Sequence, residues 1–190
     1  MIYILIVTLG LSIKLLDNCC DERLFGGKNS KWIMSFVVSI FYSVICMSNP
    51  KLNIVGLSIA LGCFLTGKCD DKSYILSLIS VFIVSILNIK VISNNIVALG
   101  ICSVGFGLDE ILNDKIDSYI KNSNNMKAEY NRVLMLLAKS RVIAKITCLI
   151  LSILFMDKMY FLFCILHDIG YHAMSIVLKK YKNFNKENTL

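Results

Sequence analysis

Charged side chains are scarce in this sequence, and their scarcity excludes several classes of protein. Asp, Glu, Lys and Arg make up 17% of the 190 residues, against about 25% in a soluble globular domain. A disordered chain and a nucleic-acid-binding module both need more polar surface, so no nucleic acid is expected as a partner. With 56% hydrophobic residues and a mean hydropathy of +0.69, the composition indicates a polytopic membrane protein that contacts the lipid bilayer.

Proline is almost absent as well, and nothing else in the sequence marks a linker. The one proline is Pro50, and no low-complexity tract or tandem repeat divides the chain. Cysteine is more frequent, with eight residues. In membrane segments these cysteines are expected to pack as small apolar side chains and not to form disulfides. The sequence therefore predicts a single transmembrane domain over residues 1–190.

Seven apolar runs predict an all-α fold, a transmembrane bundle of about seven helices. The runs are 1–16, 32–48, 52–67, 74–89, 91–108, 142–156 and 159–178. Several hold only about 16 residues, which at 1.5 Å per residue cover about 24 Å of a roughly 30 Å hydrocarbon core. We therefore expect the polar residues at their ends to lie near the membrane boundary.

The basic residues predict how the chain is oriented. Of the 20 Lys and Arg, 17 fall in or beside the segments 17–31, 68–73, 109–141 and 179–190. The positive-inside rule makes this side cytoplasmic, which predicts an integral protein of the cell membrane with its N-terminus outside and its C-terminus in the cytoplasm. The segment 109–141 begins with an apolar stripe and predicts a cytoplasmic amphipathic helix on the membrane surface, with a solvated hairpin as the alternative.

Most acidic residues follow the predicted cytoplasmic ends of the first, third and fifth spans. Carboxylates gathered at one level repel one another unless a cation or a proton relieves them. Mg²⁺ fits such a site, because it binds oxygen ligands and commonly uses one or two carboxylates together with the phosphates of a substrate. The predicted metal ligands are Asp17, Asp21, Asp70, Asp71, Asp109, Glu110 and Asp114.

Basic residues at the same level are expected to bind the phosphate groups of that substrate. The predicted phosphate-binding residues are Arg23, Lys28, Lys68, Lys72, Arg132, Lys139 and Arg141. The alternative is that the acids and bases at these helix ends form only a solvated rim.

The seventh span carries His167 and Asp168 about ten residues from either end of an apolar run. Ionisable groups at that depth are costly and normally face a bundle interior or a wet cavity, so both residues are predicted to be catalytic. The alternative is that Asp168 pairs with a neighbouring Lys, or with His172, and serves helix packing.

Two of the acidic motifs resemble those of the UbiA-type intramembrane prenyltransferases. The first is Asp17-x-x-x-Asp21 and the second runs from Asp109 to Asp114, where the last aspartate falls one position later than in the family's D-x-x-x-D. The resemblance implies an all-helical bundle in which Mg²⁺, held by both motifs, binds a polyprenyl diphosphate whose tail lies among the helices. Departure of the diphosphate would leave an allylic cation for an acceptor.

These observations predict a Mg²⁺-dependent transferase that acts on a polyprenyl diphosphate or a related lipid phosphate at the cytoplasmic membrane face. One alternative is a carrier for divalent cations or protons, with His167 and Asp168 as its central site. A further alternative is an intramembrane aspartyl protease, in which Asp17 and Asp70 share a proton and activate water.

Overall fold

A computed structural model describes residues 1–21, 29–67, 71–122 and 141–187, and over these residues the chain is all-helical. The helices are α1 (Ile2–Asp21), α2 (Ser30–Ser48), α3 (Leu52–Leu65), α4 (Tyr74–Leu87), α5 (Ile89–Asn94), α6 (Ile96–Asn122), α7 (Val142–Leu154) and α8 (Met159–Glu187). Each of the seven predicted apolar runs is helical over most of its length. The predicted all-α bundle is confirmed.

Four of these helices are long and apolar enough to cross a membrane, judged by length and composition. They are α1 over Ile2–Cys20, α2 over Ser30–Ser48, α6 over Ile96–Ile116 and α8 over Met159–Tyr181. The helices α3, α4 and α7 are also apolar but have only 14, 14 and 13 residues. The composition and helix lengths thus fit a protein in contact with a lipid bilayer.

The distribution of side chains on α2 also fits contact with lipid. Its outer face is apolar, with Ile33, Phe36 and Ile40 exposed at helical spacing. Its inner face buries Ser35 and Ser39, and the Ser35 hydroxyl donates to the carbonyl oxygen of Ser73 in 2.6 Å. Polar groups inside and apolar groups outside are what a helix needs when its surroundings are lipid.

The predicted fifth span differs from the structure at both ends. The predicted run 91–108 is broken after Asn94, because the Asn95 side chain donates to the Val91 carbonyl oxygen in 2.8 Å and thereby competes with the helical backbone. The helix α6 then starts at Ile96 and runs without a break to Asn122. The first part of the segment 109–141 is therefore a continuation of α6, and residues 123–140 lie outside the described part of the chain.

Glycines allow α1 and α8 to approach very closely. A Cβ atom on Gly10 would lie 2.1 Å from the His167 carbonyl oxygen, and one on Gly170 would lie 2.1 Å from the Val7 carbonyl oxygen. Small residues at helix contacts in membranes permit this backbone contact. The crossing fixes the register between the two helices that carry Asp17 and Tyr171.

The helices bring seven segments to one end of the bundle, which we call the acidic end. It comprises the C-terminal ends of α1 and α3, the N-terminal ends of α2, α4 and α7, residues 109–113 of α6 and the part of α8 around Tyr171. At the opposite end, Lys51 before α3 and Asp157 before α8 form an ion pair of 2.9 Å.

Four cysteines of the bundle pack as the sequence predicts, whereas Cys63, also predicted to pack, is only partly buried. Cys46, Cys102, Cys148 and Cys164 are buried with free thiols. Three of them lie on the facing helices α6, α7 and α8, where their small side chains fill the contact.

Candidate functional site

A cavity of about 480 Å³ lies between the helices and has a polar part and an apolar part. The polar part lies at the acidic end, and we call it the mouth; it is lined by Asp17, Tyr74, Glu110, Asn113, Arg141 and Tyr171. The interior is lined mainly by apolar side chains, among them Leu9, Ile13, Val38, Ile59, Val81 and Phe163. A cavity of this kind suits an amphipathic ligand with a charged head group.

Asp17 is held at the mouth by two tyrosines from other helices. The Tyr74 hydroxyl donates a hydrogen bond to one carboxylate oxygen and the Tyr171 hydroxyl donates one to the other. The oxygen–oxygen distance is 2.7 Å in both. Lys14, one turn before Asp17, donates to the Tyr171 oxygen in 3.3 Å. Each carboxylate oxygen still has a lone pair for a further partner in the cavity.

Glu110 and Arg141 form the second charged group of the mouth. The guanidinium group of Arg141 pairs with Glu110 in 3.2 Å and lies 5.7 Å from the centre of the Tyr171 ring. Arg141 precedes α7 in a left-handed backbone conformation, with φ of 48°, which costs a non-glycine residue about 1–2 kcal/mol. Strain of this kind at a charged residue that lines a cavity points to a functional position.

Asn113 adds an amide oxygen to the mouth. Its Oδ1 atom is buried and has no hydrogen-bond partner in the described part of the protein, although buried polar atoms are normally paired. It lies one turn after Glu110 on α6 and lines the same cavity. This oxygen is therefore available to a ligand.

Asp109, the neighbour of Glu110, has a different position. Its carboxylate accepts the backbone amides of Ile143 and Ala144 in 3.1 and 2.6 Å and so caps the N-terminus of α7. It does not line the cavity. The capped helix begins beside Arg141, so Asp109 positions one residue of the mouth without facing it.

His167 and Asp168 lie on α8, deeper in the bundle. Asp168 forms an ion pair of 2.7 Å with Lys145 of α7, and its second oxygen lies 3.6 Å from Nδ1 of His167. His167 stacks between Phe163 and Tyr171 and lines the cavity, whereas Asp168 does not. The Nε2 atom of His167 is buried and has no partner among the described residues.

Asp71 lies at the acidic end but serves the fold locally. Its carboxylate accepts hydrogen bonds from Lys31, at 2.7 Å, and from the Ser73 amide, at 2.8 Å. These two donors lower the pKa of Asp71 to about 2. Neither Asp71 nor the exposed Lys72 and Asp114 lines the cavity.

The structure thus gathers part of the predicted site. Of the predicted ligands of metal and phosphate, it places Asp17, Glu110 and Arg141 together at the mouth. Six other predicted residues lie outside the described part of the chain, namely Arg23, Lys28, Lys68, Asp70, Arg132 and Lys139. The side chain of Asp21 lies outside it as well.

The sequence interpretation assigned no site role to three residues that organise this site. Tyr74 and Tyr171 hold Asp17, and Lys145 neutralises Asp168. Tyr171 lies four residues after His167, so helical spacing was a usable signal for it. Tyr74 gave no such signal, because its partner is distant in sequence. The pairing of Asp168 with Lys145 corresponds to the alternative in which Asp168 pairs with a neighbouring lysine.

The mouth carries oxygen-bearing side chains of the kind that Mg²⁺ binds. The described residues contain no group of three or more His, Cys, Asp and Glu side chains that could hold a metal ion. Two carboxylates, Asp17 and Glu110, and the amide oxygen of Asn113 do line one cavity. Mg²⁺ is commonly bound through one or two carboxylates, with substrate phosphates and water completing its octahedral coordination.

Comparison of the chain with protein-family models, with curated proteins and with solved structures finds no match in any of the three. The resemblance of its aspartate motifs to the UbiA-type prenyltransferases therefore stays a prediction.

Proposed function

We propose that this protein is a Mg²⁺-dependent transferase that binds a polyprenyl diphosphate, or a related lipid phosphate, in the cavity. The observation that supports the proposal is the cavity itself, which joins a mouth carrying Asp17, Glu110 and Arg141 to an apolar interior. A lipid diphosphate has the same two parts, a charged head and an apolar tail. Binding it from the cytoplasmic membrane face would leave its head at the water boundary and its tail among the helices.

The head group would be held by charge. The Arg141 guanidinium would donate to phosphate oxygens, and the hydroxyls of Tyr74 and Tyr171 hold the Asp17 carboxylate by hydrogen bonds to its two oxygens. Asp17 and Glu110, with Asn113, would hold the metal ion. When Mg²⁺ is bound, it neutralises charge on the phosphate groups.

The transfer breaks the bond between the allylic carbon and the diphosphate oxygen, and pyrophosphate leaves with the electron pair. A nucleophilic acceptor forms the new bond to that carbon and loses a proton. His167 can accept this proton, because its Nε2 atom is unpartnered among the described residues and the ring lines the cavity. Asp168, beside Nδ1 and held by Lys145, would position the ring and stabilise its charged form.

The test is the release of pyrophosphate from an allylic prenyl diphosphate by the purified protein, with and without Mg²⁺. The proposal predicts release that requires Mg²⁺. Uptake of divalent cations into liposomes with no such release would contradict it and favour a carrier.

A further inference from the structure

The cavity ends in the bundle at an aromatic ring. Tyr42 of α2 is the cavity-lining residue of that helix farthest from the acidic end, and Gly56 holds the same place on α3. A Cβ atom on Gly56 would lie 2.1 Å from Cε2 of Tyr42. The ring therefore lies directly against the α3 backbone at the deep end of the cavity.

The ring is fixed in this position by buried hydrogen bonds. The Tyr42 hydroxyl donates to Oδ1 of Asn53, and both side chains are buried. The Ser85 hydroxyl of α4 also donates to this oxygen, in 3.4 Å. Swinging the ring away would leave buried polar groups without partners, which is costly.

The depth of the cavity follows from the helix register. On α8 the lining residues run from Tyr171 at the mouth to Phe163, eight residues away, which corresponds to about 12 Å along the helix axis. Leu9 and Asp17 span the same number of residues on α1. An apolar tail whose head group stays at Asp17 therefore has a limited depth of cavity to fill, and Tyr42 lines the deep end of that cavity.

We propose that Tyr42, seated on Gly56 and tethered to Asn53, sets the longest apolar tail that the cavity accepts. The proposal rests on the proposed function in one respect, that a ligand with an apolar tail occupies the cavity with its head at the mouth. It deepens that function by assigning a specificity-determining residue. It does not depend on the transfer reaction.

Tail length is measured with a series of n-alkyl phosphates of increasing chain length, bound to the protein in lipid nanodiscs and followed by calorimetry. In the wild type, affinity is expected to rise with each added carbon up to one length and then to stop rising. Tyr42→Leu removes the ring and is expected to bind the next longer members at least about tenfold more tightly than the wild type does. Tyr42→Phe keeps the ring but loses the hydroxyl, so its length limit should equal that of the wild type.

A second variant controls for the possibility that Tyr42→Leu destabilises the fold. Tyr42→Leu leaves Oδ1 of the buried Asn53 with only the 3.4 Å hydrogen bond from Ser85, whereas the double variant Tyr42→Leu with Asn53→Leu removes both members of the Tyr42–Asn53 hydrogen bond. The double variant should show the same longer limit. An unchanged limit in the leucine variants that fold, or no dependence of wild-type affinity on tail length, would overturn the proposal.

The alkyl phosphates also separate this proposal from the proposed function. If Tyr42→Leu shifts the limit while no prenyl diphosphate releases pyrophosphate, the length limit stands and the transferase fails. If pyrophosphate is released but the limit does not shift, the transferase stands and the role of Tyr42 fails.

Discussion

The two ends of the bundle both carry aspartates beside helix ends, but they use them differently. At the opposite end, Asp157 accepts the Met159 amide in 3.0 Å, caps α8 and pairs with Lys51. At the acidic end, Asp17 receives its hydrogen bonds from tyrosine hydroxyls on two distant helices and lines a cavity. Asp157 thus binds the backbone next to it in sequence, whereas Asp17 is held by distant side chains and lies at a cavity.

The same contrast divides the acidic end itself. Asp109 caps α7, while the adjacent Glu110 lies at the mouth and pairs with Arg141. Successive residues on a helix point about 100° apart, so one faces α7 and the next faces the cavity. Proximity to a helix end is therefore not enough to identify a ligand.

The largest expected effect distinguishes Asp17 from Asp157. Asp17→Asn removes a negative charge from the mouth, and we expect pyrophosphate release to fall by about 100- to 1,000-fold. Asp157→Asn is the matched control at the opposite end and should keep its activity. If both variants fold in detergent and lose pyrophosphate release to the same extent, the proposed difference between the two ends is contradicted.

The second effect concerns the glycines that bring Asp17 to Tyr171. Gly10→Ala or Gly170→Ala places a methyl group on a facing carbonyl oxygen, and we expect the free energy of unfolding to fall by about 1–3 kcal/mol. Thermal unfolding in detergent measures this loss. Gly100→Ala is the control, because a Cβ atom there meets nothing within 4 Å. Equal stability of all three variants would contradict the close approach of α1 and α8 at Gly10 and Gly170.

A third, smaller effect tests the structural role of Asp109. Asp109→Ala removes the cap of α7 and is expected to lower the free energy of unfolding by about 1–2 kcal/mol. The folded fraction should keep its Mg²⁺ dependence, measured by pyrophosphate release against Mg²⁺ concentration. Unchanged stability together with lost Mg²⁺ dependence would place Asp109 among the metal ligands, as the resemblance to the prenyltransferases implies.

The smallest effect concerns Asp71 and pH. Its folded-state pKa of about 2 lies below the ordinary value of about 3.9. The ion pair with Lys31 therefore stabilises the fold fully above pH of about 4, and this contribution is lost as the pH falls through about 2. Asp71→Asn should unfold more easily than the wild type near neutral pH, by less than about 1 kcal/mol because the pair is partly exposed.

Thermal unfolding of both proteins from neutral pH down to about 2 tests this expectation. The difference between them should shrink towards the acidic limit. A difference that grows as the pH falls would contradict the sign of the pKa shift.

The sequence predicted the helices better than it predicted the site. Long apolar runs are a strong signal, because a backbone in lipid must satisfy its hydrogen bonds within a helix. The break at Asn94 and Asn95 was missed because the apolar residues on both sides hid the local effect of the asparagine side chains.

The site could be predicted only in part. The sequence placed Asp17 and Glu110 just after the ends of apolar runs and so predicted that they lie at the same level of the bundle. The structure places both at one cavity. Their partners did not follow, because the hydrogen bond from Tyr171 to Asp17 joins residues 154 positions apart. Contacts of that kind depend on how α1 and α8 cross, which a single sequence does not specify.

The most direct measurement is equilibrium binding of a prenyl diphosphate to the protein in nanodiscs, followed by calorimetry with Mg²⁺ or with EDTA. Head-group binding at the mouth predicts tight binding with Mg²⁺, weak binding with EDTA, and weak binding by Asp17→Asn under both conditions. Asp157→Asn should behave as the wild type does. Binding that is equally tight in EDTA and in Asp17→Asn would contradict a metal-assisted phosphate site at the mouth.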